Sequence, residues 1–147
     1  MTELERLESL LRAELEAIAA SYATDKLVMR SFDKSGILID TRTTYTTDPY
    51  QNSIKARTEA VLGLILTTEG EDAAAIKSRI RGIQLKIHKA LIHWSTCYLL
   101  NPLTELDYSY VAQQNTNVRD PNNRGWQIDL AVPFVMEYYE RSLVEIS

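Results

Sequence analysis

Between residues 71 and 100, large apolar side chains recur at Ile76, Ile80, Ile83, Ile87, Leu91, Trp94 and Tyr98. Steps of three and four keep such residues on one face of an α-helix, so the spacing predicts a long amphipathic helix over 71–100. Glu71 and Asp72 stand where the helix dipole favours negative charge. Asn101-Pro102 ends it, because proline cannot continue a helix and restricts the residue before it. Gly82 inside the run costs roughly 1 kcal/mol against alanine.

The period then changes to two. In LDYSYVAQQ, Leu106, Tyr108 and Tyr110 alternate with Asp107 and Ser109. In WQIDLAVPFVMEY, Trp126, Ile128, Leu130, Val132, Phe134 and Met136 alternate with Gln127, Asp129 and Glu137. Alternation of this length predicts two strands of a long hairpin over 106–138. Pro133 has no N–H for a ladder, so its strand is at an edge there, or bulged. The polar stretch 115–125, NTNVRDPNNRG, is far longer than the roughly two to five residues a simple hairpin turn needs, and should protrude.

Residues 2–20 give a shorter amphipathic helix with Leu4, Leu7, Leu11 and Ile18 on one face. Thr2 and Glu5 have the spacing of a capping box. Residues 27–43 fit a strand pair, LVMRSF and ILIDTRTTYT, joined by DKSG. The polar segment 44–57 reads as an exposed loop containing the turn-forming Asp48-Pro49. The run AVLGLILTT, 60–68, fits a buried strand, with a helix from Ile54 onward as the competing reading. Together these elements predict an α+β fold: a mainly antiparallel sheet of about four to five strands packed on an N-terminal and a long central helix.

Composition refines this picture. The chain of 147 residues is long enough for one well-formed core and argues for a single domain, 1–147. Its net charge of -4 provides no general attraction to nucleic acid or an anionic membrane. The charge is uneven, however. The first helix is acidic, whereas the central one carries Lys77, Arg79, Arg81, Lys86 and Lys89 and no acid after Asp72. Cys97 is the only cysteine, which excludes an intramolecular disulfide; its neighbours Trp94, Tyr98 and Leu99 predict a buried, inert thiol. The N-terminus lacks signal-peptide character and no run is long enough to span a bilayer, so a reducing, soluble compartment is expected.

No catalytic pattern stands out. His88 and His93 are five apart on a helix, a spacing that turns them away from a shared metal. The glycines form no phosphate loop, and neither GxSxG nor CxxC occurs. Asp40, Asp48, Asp107 and Asp129 suit strand surfaces and turns. No metal or other cofactor is implied. The basic row on the central helix is better explained as a solvated face or a complement to the acidic helix than as a nucleic-acid site. Function then points to the loops and edges: Tyr45, Asp48 and Tyr50 in one loop, Arg119, Asp120 and Arg124 in the other, and the edge at Pro133. These are residue types that form protein contacts when loops bind.

The element order, together with AVLGLILTTEGEDAAAI before the helix and RGWQIDLAVPFVMEYYE at the end, resembles the tail terminator (tail completion) proteins of long-tailed bacteriophages, the lambda U-like family. Several members carry one more strand before the central helix, where this chain enters the helix directly. The resemblance implies a non-enzymatic virion protein at the tail–neck junction. It would form a homohexameric ring that caps the tail tube and touches neck or connector proteins, and in some tails the sheath. Another neck or head-completion protein is the alternative within that class. A small DNA-binding or ligand-binding protein is the alternative outside it.

Overall fold

The computed structural model describes residues 2–21, 28–31, 37–69, 73–115 and 125–140. The turn at 32–36, Glu71 and Asp72 at the predicted helix start, and nearly all of the stretch 115–125 lie outside the described residues. The fold is α+β, in the order α1 (Glu3–Ser21), β1 (Val28–Ser31), β2 (Leu38–Asp48), β3 (Ser53–Glu69), α2 (Ala73–Tyr98), β4 (Ser109–Asn115) and β5 (Gly125–Tyr139).

Five strands make one antiparallel sheet. β3 and β5 pair along almost their full length, from Lys55↔Tyr139 to Glu69↔Gly125. β4 flanks β5 on one side. On the other side, β1 and β2 both pair with β3, at Ser31↔Leu64 and Leu38↔Leu62 respectively. The expected strand pair over 27–43 is therefore corrected: its two strands do not pair with each other. They lie end to end along one edge of β3 and run in the same direction, so both satisfy their backbone groups on a single long partner. The competition over 54–68 is settled in favour of a strand, longer than expected and beginning at Ser53.

The predicted loop over 44–57 is also corrected. β2 continues to Asp48 and β3 starts at Ser53, leaving only residues 49–52 as a turn. Asp48 Oδ1 accepts from the amides of Tyr50 (3.0 Å) and Gln51 (3.3 Å). Asn52 takes the left-handed backbone at φ 51°, which asparagine tolerates better than most residues. The polarity that suggested a loop has another cause. Residues 41–47 form an edge strand whose side chains are mostly exposed, and threonine suits the extended chain without needing burial. A one-residue bulge at Thr41 lies within it.

Alternation divides the sheet into two faces. Leu62, Leu64 and Leu66 of β3 and Ile128, Leu130, Val132, Phe134, Met136 and Tyr138 of β5 point into the core. Both helices cover that face. From α1, Leu7, Leu11 and Leu15 are buried; from α2, Ile80, Ile83, Ile87, Leu91 and Trp94. The Trp94 indole N–H donates to the Leu7 carbonyl at 2.9 Å and its ring meets Phe134 edge-on, so one side chain joins both helices to the sheet. The end of α2 departs from the expected pattern in two places. Tyr98 leaves the buried stripe and is 39% exposed, its place in the core taken by Leu99. Cys97 is exposed beside His93, not buried, because it lies off the stripe on the flank that turns past α1.

Thr2 caps α1 as the spacing predicts, its Oγ1 accepting from the Glu5 amide at 3.2 Å, while the Glu5 carboxylate accepts from the Thr2 hydroxyl at 3.1 Å. Ser95 closes the other end of the layer, accepting from the Leu103 amide at 2.9 Å.

Candidate functional site

The predicted contact residues fall into three places. Tyr45, Asp48 and Tyr50 come together at the β2–β3 hairpin, where Tyr50 is 97% exposed at the tip. Asp48 there acts on its own turn through the two amides it binds. Pro133 lies apart, on the open face of the sheet opposite Val61. Arg119, Asp120 and Arg124 lie outside the described residues.

The backbone explains how β5 tolerates Pro133. The Glu137 carbonyl accepts from the Leu100 amide at 2.9 Å, whereas the Glu140 amide donates to Ile54 of the neighbouring segment at 2.8 Å. Alternate residues of a strand direct their backbone to opposite sides. Pro133 shares the parity of Glu137, so its missing N–H faces away from β3. On that side β4 begins only at Ser109, opposite Ala131. The strand is an edge at Pro133, and its pairing with β3 runs through that position without a bulge.

The face of the sheet away from the helices is bare among the described residues. Its upper part is charged, with Lys55 and Glu137 at 3.6 Å and Arg57 and Glu59 at 3.8 Å. Its centre is apolar. Ile39, Val61 and Pro133 form one cross-strand row, Gly63 and Ala131 the next, with Val135 and Ile65 beside them. The sequence singled out Pro133 as an edge or bulge position but missed the patch, because its members come from three different strands.

Two further clusters involve α2. On its flank nearest β4, Arg81, Gln84, Leu85, His88 and Tyr108 line a shallow groove of about 330 Å³. Tyr108 Oη and His88 Nδ1 are 2.9 Å apart. Burial pushes the Tyr108 hydroxyl up to about 12, which keeps it protonated and able to donate to the ring nitrogen. Leu85 is 63% exposed at the rim. On the opposite flank, His93 Nε2 lies 3.7 Å from both Cys97 Sγ and Glu14 Oε1. Cys97 Sγ also lies 4.0 Å from His93 Nδ1, so these are long contacts about an exposed ring. Among the described residues no group of three or more His, Cys, Asp or Glu is placed to hold a metal ion. No described helix is long and apolar enough to cross a membrane.

Neither a family model nor a curated protein matches the chain.

Proposed function

We propose that the protein is a structural subunit of the phage tail–neck junction, a tail terminator whose copies close into a ring, six in the family its sequence resembles. The ring caps the tail tube and joins it to the head. The observation that carries this reading is the sheet: among the described residues one face is bare and apolar at its centre, and a strand edge is open on each side. Contiguous apolar surface and unpaired strand edges are what a chain retains when other chains cover them.

In this reading the β2–β3 hairpin, with Tyr45, Asp48 and Tyr50, and the stretch holding Arg119, Asp120 and Arg124 contact the tail tube, sheath or neck. The chemistry is that of surfaces; no bond is made or broken. The test is the native mass of the purified protein, alone and with a tail-tube protein, followed by electron microscopy. A ring that binds the tube end supports the terminator. A ring that binds only the head connector places the protein in the neck. A monomer at every concentration, unaltered by either partner, overturns the assembly role.

A further inference from the structure

Resting on that assembly reading, we infer that neighbouring copies join head to tail, the basic flank of α2 at the β4 edge of one copy facing the acidic flank of α1 at the β1–β2 edge of the next. Three observations lead there independently of any relative.

The first is where the helices sit. α1 packs against β1, and Glu8 accepts the Leu38 amide at 3.1 Å, which fixes this helix on the β1–β2 side. α2 lies toward the other edge, where His88 meets Tyr108 just before β4. Glu14 and His93 mark where the helices face each other.

The second is charge. Glu5, Glu8, Arg12 and Glu16 follow at steps of three and four, so they share the flank of α1 turned away from Glu14 and α2. Arg12 is engaged by Glu8 at 3.5 Å, and Glu16 is exposed with no ion pair among the described residues. On α2, Lys77, Arg81 and Leu85 follow at steps of four on the flank of the groove. Lys77 and Arg81 are exposed, and neither has an ion pair among the described residues. Among the described residues the two helix flanks therefore carry unneutralised charge of opposite sign on opposite sides of the helix layer.

The third is strand direction. β1 and β2 run opposite to β3, β3 opposite to β5, and β5 opposite to β4. β4 is thus antiparallel to β1 and β2, and a second copy set beside the first in the same orientation meets it with antiparallel edges. Both free edges are then covered by one kind of contact. A two-fold dimer through either edge would instead set base against base or acid against acid, and like charges brought together across an interface are strongly disfavoured. Contacts between unlike surfaces do not terminate at two copies; they close into a ring or continue as a filament.

The test uses the full chain and two charge variants. One is Lys77→Glu with Arg81→Glu; the other is Glu16→Lys with Ala20→Lys. Each places its new charges toward the helix end that favours that sign, and all four sites are exposed, so folding is preserved. Circular dichroism and thermal melting confirm this. Sedimentation then reads association as a function of salt. Each variant alone is expected to associate about tenfold more weakly or worse, the range of electrostatic coupling across interfaces. An equimolar mixture is expected to recover assembly, since the acid introduced on α2 of one chain then meets the base introduced on α1 of the other. If both variants assemble as the parent does, or if the mixture recovers nothing, the head-to-tail interface is wrong while the ring reading stands. If the parent chain is itself monomeric throughout, the ring reading fails.

Discussion

Glu140, the residue after the last strand, accepts a hydrogen bond at 3.2 Å from the backbone amide of Glu3 in the first turn of α1. The two are 137 positions apart, and each is only 7% exposed. A carboxylate there satisfies an amide that the helix cannot, and meets the positive end of its dipole. Glu140→Ala should destabilise the fold by about 1–2 kcal/mol, in the range of a lost cap. Glu140→Gln, which keeps an acceptor but loses the charge, should cost less. Urea unfolding of both checks the order; equal losses would show that the charge contributes nothing.

A chain of hydroxyls crosses the inner face near the hairpin: Thr43 to Thr58 at 3.1 Å and Thr58 to Tyr138 at 2.9 Å. Thr58→Val strands the buried Tyr138 hydroxyl and should cost about 1–3 kcal/mol. Tyr138→Phe leaves Thr58 still bonded to Thr43 and should cost about 0.5–1.5 kcal/mol. The double variant should lose less than both together, because the buried Tyr138 hydroxyl is no longer left an orphan. Additive losses in a double-mutant cycle would mean the hydroxyls are uncoupled.

Tyr108 makes the fold sensitive to alkali. Its ordinary value of 10.0 is raised to about 12 by burial, so folding favours the protonated form. The stability this contributes is fully present below about pH 10, and is lost as the pH rises through about 12. Tyr108→Phe should flatten that part of the stability–pH curve, at the expense of the His88 bond. Denaturant melts across the alkaline range, with tyrosinate absorbance, read this; an unchanged slope would place the transition on another tyrosine, such as Tyr138, whose hydroxyl burial also raises.

The β2–β3 turn depends on Asn52 in the left-handed region. Asn52→Gly should be tolerated almost without loss, whereas Asn52→Val should cost about 1–2 kcal/mol, since a branched Cβ crowds the backbone there. Thermal melting separates them. Under the proposed assembly role, and if the turn only spaces the strands, tail joining should survive Asn52→Gly and fail with Tyr50→Ala, because the exposed ring is what a partner would touch.

Periodicity located both helices and the last hairpin because each buries one continuous face, and a face of fixed period leaves its mark on neighbouring residues. It failed for Thr44 to Thr47, where an edge strand buries little and so writes no alternation. It failed for Cys97 because apolar neighbours in the chain do not say which flank of a helix the sheet will meet. The apolar row Ile39–Val61–Pro133 was illegible for a related reason: a cross-strand row exists only once register is set.

The α+β class, most core-facing residues of α2 and those of β5, the N-cap at Thr2, and the division between an acidic and a basic helix can all be read from the order of residues alone. Each follows from local geometry repeated along the chain. Three features could not be read that way: β1 and β2 share one edge of β3, the second side of the sheet is bare among the described residues, and the acidic and basic flanks face opposite edges. They depend on pairings between residues many positions apart, whose partners are chosen by the burial of the whole core.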